Sequence, residues 1–128
     1  MNYKLLNGAN LAFVGDAYYE LVIREYLVNK KITNLHKLHD ESVKYVSSTA
    51  HNMIIEKILP ILNDEEIDIF HRGRNYSYNS RRKNIKQNEH VNSSGFEALI
   101  GYLYLLGEQK RLEEIISLAI NIVEGKNE

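Results

Sequence analysis

Apolar residues recur at steps of three and four along most of the chain, the spacing that places side chains on one face of an α-helix. This pattern predicts a long helix from about Asn10 to Val28. Thr33-Asn34 is a candidate cap for a short helical turn, and a second long apolar stripe runs from Val43 to Ile61. Pro60 should end or kink the helix that carries this stripe, because proline has no amide donor and clashes with the preceding turn.

The helical pattern continues after Pro60, with one interruption. Asn63 is a candidate N-cap for a helix that opens with three acids, whose charges suit the positive end of a helix. That helix should stop near Gly73. Residues 75–93 are rich in Asn, Ser, Lys and Arg and poor in apolar residues, so we expect a long exposed loop there.

Two more helices complete the set. One spans Ser94–Leu106 and should end at Gly107, and the last carries an apolar stripe over residues 112–123 and should stop at Gly125. No segment shows a convincing strand pattern. We therefore predict an all-α fold in which residues 1–128 form a single domain.

Composition narrows the classes of function. The 128 residues are 44% hydrophobic, enough for a core, and include no cysteine, which excludes disulfides and thiolate metal sites and suits a reducing cytoplasm. Neither a signal peptide nor an apolar run long enough to span a bilayer is evident, so we expect no membrane association. The net charge of -1 does not by itself indicate a nucleic-acid partner.

Two acidic residues occupy unusual positions. Asp16 lies in the middle of the first predicted helix, where aspartate is unfavourable, and Glu97 lies among apolar and small residues. Each has a glycine nearby, Gly15 and Gly101, although glycine inside a helix costs about 1 kcal/mol relative to alanine. These glycines suggest a close helix crossing that brings the carboxylates together. Such a pair would need a cation between its members, and oxygen ligands suit Mg²⁺ or Mn²⁺.

Simpler interpretations of the two acids remain open. Ser94-Gly95-Phe96-Glu97 matches a capping box, in which Glu97 would only bond back to the start of its own helix. Asp16 could face solvent or pair with an arginine.

The histidines offer a further hypothesis. His36, His39-Asp40 and His51 could indicate an HD-type metal phosphohydrolase, but that family needs another histidine well upstream, and none precedes His36. We therefore expect these histidines to be surface or structural residues.

A basic segment begins at the end of the helix predicted to stop near Gly73. Residues 72–88 contain no acid and six cations, which are Arg72, Arg74, Arg81, Arg82, Lys83 and Lys86. Basic residues interleaved with Asn, Ser and Tyr are typical of surfaces that bind a sugar-phosphate backbone without reading bases. An ordinary solvated loop is the alternative.

Several of these motifs resemble one known family. Residues 11–17, Leu-Ala-Phe-Val-Gly-Asp-Ala, resemble the L-x-F-L-G-D-A signature of ribonuclease III domains, and residues 94–105 resemble that family's second catalytic segment. The likeness is closer to the Mini-III group. The chain shares four further blocks with that group in the same order, namely Tyr19-Glu20, Leu35-His36-Lys37, Val46-Ser47 and Arg72-Gly73-Arg74-Asn75.

The resemblance implies a fold, an activity and a site. It implies the all-α ribonuclease III endonuclease fold and a homodimer in which each subunit cuts one strand of double-stranded RNA. Asp16 and Glu97 would be the metal-binding catalytic acids, with Mg²⁺ as cofactor and Mn²⁺ as a substitute. The implied substrate is the precursor of large-subunit (23S) ribosomal RNA, cut to leave 5′-phosphate and 3′-hydroxyl ends.

RNA contacts are assigned on the same basis. The expected contacts to phosphates and 2′-hydroxyls are Arg72, Arg74, Asn75, Arg81, Arg82, Lys83 and Lys86, together with His36 and Lys37.

The acidic cluster departs from that of larger ribonuclease III enzymes. Those enzymes carry further acids at the positions of Ala12 and Ser94, and the Mini-III group lacks them. Glu20, one helical turn after Asp16, is our third candidate catalytic acid, either as a metal ligand, as a support for one, or as the partner of an arginine. The alternative function is a non-catalytic duplex-RNA-binding or ribosome-assembly module.

Overall fold

Helices account for nearly all regular structure in the computed structural model, which describes residues 1–78 and 87–126. No strand occurs in this part of the chain, so the all-α prediction is confirmed. Short 3-10 turns lie at Tyr3–Leu5 and Leu59–Ile61. The six helices are α1 (Gly8–Asn29), α2 (Leu35–Val46), α3 (Ser48–Ile58), α4 (Asp64–Tyr78), α5 (Gln87–Leu106) and α6 (Gln109–Val123).

The helix ends that depend on local chemistry lie close to their predicted places. Asn34 caps α2 by accepting a hydrogen bond from the amide of Lys37. Asn63 caps α4, and the side chain of Glu66 accepts a bond back from the amide of Asn63, which completes a capping box. Gly107 follows α5 with a φ of 76°, a conformation that glycine adopts without strain.

The first half of the chain contains one helix more than its apolar stripe suggests. The stripe predicted from Val43 to Ile61 is divided at Ser47, which ends α2 in an extended conformation and caps α3. The short turn expected after Asn34 is therefore the start of a helix of 12 residues. The apolar period continues through Ser47 because both helices turn apolar residues towards the same core.

The long loop predicted over residues 75–93 is wrong at both ends. α4 continues past Gly73 to Tyr78, and α5 begins at Gln87, well before Ser94. Gly73 does not end α4 because it lies buried against the backbone of α5, where a larger side chain would not fit. Of the predicted RNA-binding residues, Arg81, Arg82, Lys83 and Lys86 lie outside the described residues.

The helix α5 lies at the centre of the molecule and contacts α1, α3, α4 and α6. Its closest neighbour is α1. A Cβ atom at Gly15 would overlap the carbonyl oxygen of Glu97, and one at Gly101 would overlap that of Leu11. The close crossing expected from these glycines is thus present, and it sets the distance between the two helices that carry Asp16 and Glu97.

Polar contacts also join the helices, and one of them is centred on the buried carboxylate of Glu66. Arg111 on α6 donates two hydrogen bonds of 2.8 Å to the carboxylate of Glu66 and a third to the carbonyl of Ile61. Bidentate pairs of this kind are among the stronger polar contacts in proteins. Across residues 1–78 and 87–126, none of the helices is both long and apolar enough to cross a membrane.

Candidate active site

The helix crossing brings together the two acids that the sequence marks as unusual. Asp16 on α1 and Glu97 on α5 line the same cavity of about 410 Å³, and their carboxyl groups are within hydrogen-bonding range of each other. The other lining residues are Ala9, Asn10, Ala12, Phe13, Tyr76 and Ser94. The cavity opens to solvent on the side of Asp16, which is exposed, whereas the side chain of Glu97 is only 20% exposed.

The electrostatic state of Glu97 shows how unfavourable this pairing is without a cation. Burial, then the charge and the hydrogen bond of Asp16, and finally the charge of Glu20 raise the pKa of Glu97 to about 8. At neutral pH Glu97 therefore retains its proton unless a positive charge replaces it. A divalent cation is the natural replacement.

The donor set fits Mg²⁺. The cavity offers carboxylate and hydroxyl oxygens, and Mg²⁺ is usually held by one or two carboxylates while it keeps several waters. Nowhere in the described residues do three or more Asp, Glu or His side chains gather into a metal-binding group. Two protein carboxylates with water or a substrate phosphate thus match both the ion and the site.

The capping-box interpretation of Glu97 is wrong. Ser94 lies inside α5, seven residues after the helix begins, and its backbone is already part of the helix. With Ala12 it forms a small-residue wall beside the acids. The room left by these small side chains is available to water.

Glu20 lies near the pair without joining it. Its charge acts on Glu97, and its own carboxylate forms an ion pair with Arg24 at 3.5 Å. Pairing with an arginine, one of the three roles considered for Glu20, is therefore present. The other two roles stay predictions.

The predicted RNA-binding arginines have partners within the protein. Arg72 donates hydrogen bonds to the carbonyl oxygens of Lys4 and Leu6, at 2.8 and 2.9 Å, and so holds the N-terminal segment. Arg74 donates from its Nε to the side chain of Asn92, at 2.7 Å, near the start of α5. Both guanidinium groups are thus held in position by other parts of the protein. The sequence alone did not predict these partners.

Three further predicted RNA contacts belong to the described part of the chain, and each lies on an exposed surface. Asn75 is exposed on α4. His36 and Lys37 are exposed at the start of α2, where Nε2 of His36 lies 3.6 Å from a carboxylate oxygen of Asp40. None of the three lines the Asp16–Glu97 cavity.

Sequence reasoning missed the position of His51. This residue is buried, with Nδ1 3.9 Å from Oε2 of Glu97, and burial lowers its pKa to about 4, so the ring is neutral. One feature of the sequence could have indicated burial, since Ile54, Ile55 and Ile58 follow it at helical spacing and are all in the core.

An apolar surface lies on the outer side of α1 and α5. Phe13 is 81% exposed, Leu21 63% and Tyr104 46%, and with Val14, Ala17 and Tyr18 they line one shallow depression. Exposed apolar residues that are contiguous, rather than scattered, indicate an interaction surface. We call these six residues the α1–α5 apolar surface.

The chain is similar to known proteins in sequence and in fold. Residues 9–108 match the model of the Ribonuclease III domain. Mini-ribonuclease 3 of Clostridium tetani is 44% identical over 126 residues, covering 98% of this chain and 83% of the relative. Mini-ribonuclease 3 of Acholeplasma laidlawii is 45% identical over 93% of this chain and 95% of the relative. A crystal structure of a Fusobacterium nucleatum protein superposes with a TM-score of 0.78 at 30% identity, covering 91% and 93% of the two chains.

Proposed function

Since the chain belongs to the ribonuclease III family and is an endoribonuclease, we propose that it hydrolyses phosphodiester bonds of double-stranded RNA at the Asp16–Glu97 pair. The observation that carries this proposal is the convergence of the two acids in one cavity, with the pKa of Glu97 raised to about 8. Burial and the neighbouring charge of Asp16 make the ionised form of Glu97 unfavourable, and binding a divalent cation is the function that offsets this cost.

Each part of the site has a distinct task in this proposal. Asp16 and Glu97 would hold Mg²⁺, for which Mn²⁺ could substitute, and the ion would supply Lewis acidity for the activation of water and the stabilisation of negative charge. The glycines at the crossing keep the carboxylates together. Ala12 and Ser94 would leave space for water beside the carboxylates. Glu20 supports the pair from one turn away.

Substrate contacts extend beyond the cavity. We propose that Arg72, Arg74 and Asn75, with the cations at 81–86 and with His36 and Lys37, contact phosphates and 2′-hydroxyls. Duplex RNA is recognised mainly by its shape and backbone, so sequence preference should be modest and binding should weaken steeply with salt. The substrate we propose is the precursor of 23S ribosomal RNA, with the cytoplasm as the location and 5′-phosphate and 3′-hydroxyl ends as products.

A duplex has two strands, and one site cuts one of them. We propose that two copies of the chain associate through the α1–α5 apolar surface, so that each subunit cuts one strand. This surface lies on the two helices that carry the acids, and residues such as Phe13 and Leu21 would otherwise stay in water.

A simple assay tests the proposal. Long double-stranded RNA is incubated with the protein in Mg²⁺ or in a chelator, and the products are separated by size. Discrete shortening with Mg²⁺ alone, leaving 5′-phosphate ends, is the expected result. RNA that is bound but stays at full length in Mg²⁺ would contradict it and would favour the non-catalytic alternative.

A further inference from the structure

A buried histidine, His51, lies behind Glu97 and has no part in the proposed reaction. His51 is on α3, and its side chain is 1% exposed. Its ring packs against Phe96, at 4.9 Å between centroids, and edge-on against Tyr19, at 5.3 Å. Held between two aromatic rings, the imidazole has a fixed position on the core side of the acidic pair.

The Nδ1 edge of this ring faces α5, the helix that carries Glu97. Nδ1 of His51 lies 2.8 Å from Oγ of Ser93, a hydrogen bond, and 3.9 Å from Oε2 of Glu97. Ser93 and Glu97 are four residues apart on α5, so their side chains lie on the same face of that helix. Both side chains therefore meet the Nδ1 edge of His51.

The position of the imidazole proton follows from the surroundings of the two nitrogens. A neutral ring carries one N–H, and buried N–H groups without an acceptor are rarer than buried acceptors without a donor. In the part of the chain that the structure describes, Nε2 is buried and has no hydrogen-bond partner, whereas Nδ1 faces two oxygens. The proton therefore belongs on Nδ1, which makes that nitrogen a donor towards Ser93 and the positive end of a dipole facing Glu97.

We propose that His51, oriented by Ser93, is a positioning residue that holds the Glu97 carboxylate in the orientation that binds the divalent cation. The inference rests on the proposed function, because it needs Glu97 to be a metal ligand. Carboxylates that bind metals are usually oriented by neighbouring donors, and loss of such a neighbour typically weakens metal binding about 10-fold to 100-fold. Ser93 takes part indirectly, by fixing the ring and its proton.

Mn²⁺ binding to the full chain without RNA, measured by electron paramagnetic resonance, tests this proposal. His51→Met removes the N–H donor but keeps an apolar side chain that fills the space, and we expect it to raise the Kd for Mn²⁺ at least about 10-fold. His51→Gln restores an N–H donor and should recover most of the affinity. With RNA and Mg²⁺, His51→Met should lower kcat while KM stays close to that of the unmodified chain.

Two further variants separate positioning from general disturbance of the core. Tyr19→Phe removes a buried hydroxyl from the same aromatic cluster without touching the Nδ1 edge, so its Kd for Mn²⁺ should be unchanged. Ser93→Ala removes the group that orients the ring and should raise the Kd, with Ser93→Thr as its conservative rescue. If His51→Met does not fold without metal, the Ser93→Ala variant still tests the proposal.

The outcomes distinguish the two levels of the proposal. If His51→Met folds and binds Mn²⁺ as tightly as the unmodified chain, or if Tyr19→Phe weakens binding equally, the positioning role is wrong and the proposed function stands. If Ser93→Ala leaves the Kd unchanged when His51→Met does not fold, the role is likewise wrong. If the unmodified chain binds no Mn²⁺, or binds it as tightly with Asp16→Asn, the proposed function itself fails.

Discussion

At the scale of single residues, the site depends on two positions that carry no side chain. Gly15 and Gly101 let the backbones of α1 and α5 approach until each glycine lies against a carbonyl of the other helix. The backbone at Gly15 contacts the carbonyl oxygen of Glu97. The residue that allows the close helix packing therefore lies directly against a candidate catalytic residue. A methyl group here would push apart the helices that carry both acids.

Gly15→Ala should therefore cost stability and activity together. Overpacking a tight contact costs about 1–3 kcal/mol, and we expect the upper end because the neighbour is backbone and cannot move aside cheaply. Chemical denaturation, with cleavage measured in parallel, checks this. Gly107→Ala is the comparison, since it meets no neighbour and only a positive φ opposes it, at about 1–2 kcal/mol. Equal stability of Gly15→Ala and the unmodified chain would refute the close crossing.

At the scale of helices, the C-terminal end of α6 is joined to α1 and α2 through one carboxylate. Glu124 accepts hydrogen bonds from the hydroxyls of Tyr26 and Tyr45 and from Nζ of Lys30. Burial alone would raise the pKa of Glu124, but these donors and Lys126 outweigh it and lower the pKa to about 2. The folded form therefore holds this group ionised more strongly than the unfolded chain does.

The direction of the pH dependence follows from this lowered pKa. A folded pKa below the unfolded value of 4.5 gives stability that is fully present above pH 4.5 and is lost as the pH falls towards 2. Glu124→Gln should melt well below the unmodified chain at pH 7, and the difference should narrow as the pH falls through that range. Thermal melts followed by circular dichroism measure it, with Glu25→Gln, an exposed acid on α1, as control. A difference that stays constant with pH would contradict the account.

Helix ends show which parts of the fold the sequence could predict. Ends set by local chemistry, such as the cap at Asn63 and the glycine at Gly107, were predictable because the residues that decide them are neighbours in the chain. The prediction of a helix end at Gly73 was wrong because the α5 residues that pack against Gly73 lie some twenty positions later in the chain. Residues 87–93, mostly polar in sequence, extend α5 by two turns, and their contacts are also distant in the chain: Val91 is buried, and Asn92 bonds to Asn52 and Arg74.

At the scale of the whole molecule, two copies should combine to cut both strands. Leu21→Glu places a charge in the α1–α5 apolar surface and should weaken self-association at least about thirtyfold, the effect of losing ~2 kcal/mol at a central contact. Sedimentation equilibrium measures the change. Val43→Glu alters a comparably exposed apolar residue on α2 and should leave the assembly unchanged. An unmodified chain that stays monomeric, or equal effects of the two variants, would refute this surface as the interface.

Two residues of the site could be predicted because each is unusual within its own stretch of sequence. Asp16 and Glu97 stand out because each is an acid among apolar and small residues of a helix, with a glycine nearby. Such a position is unfavourable unless the acid has a function. His51 does not stand out, because its importance arises only when α3 packs against α5 and brings it within 4 Å of Glu97. The intramolecular partners of Arg72 and Arg74 depend on folding in the same way.

The most direct test of the account is cleavage of double-stranded RNA by Asp16→Asn and Glu97→Gln in Mg²⁺. Each change removes one carboxylate of the pair, so the cleavage rate should fall about a thousandfold or more, while RNA binding and helix content persist. Asp68→Asn, an exposed acid on α4, should cut at the rate of the unmodified chain. Undiminished cleavage by either Asp16→Asn or Glu97→Gln would show that the paired carboxylates are not the catalytic centre.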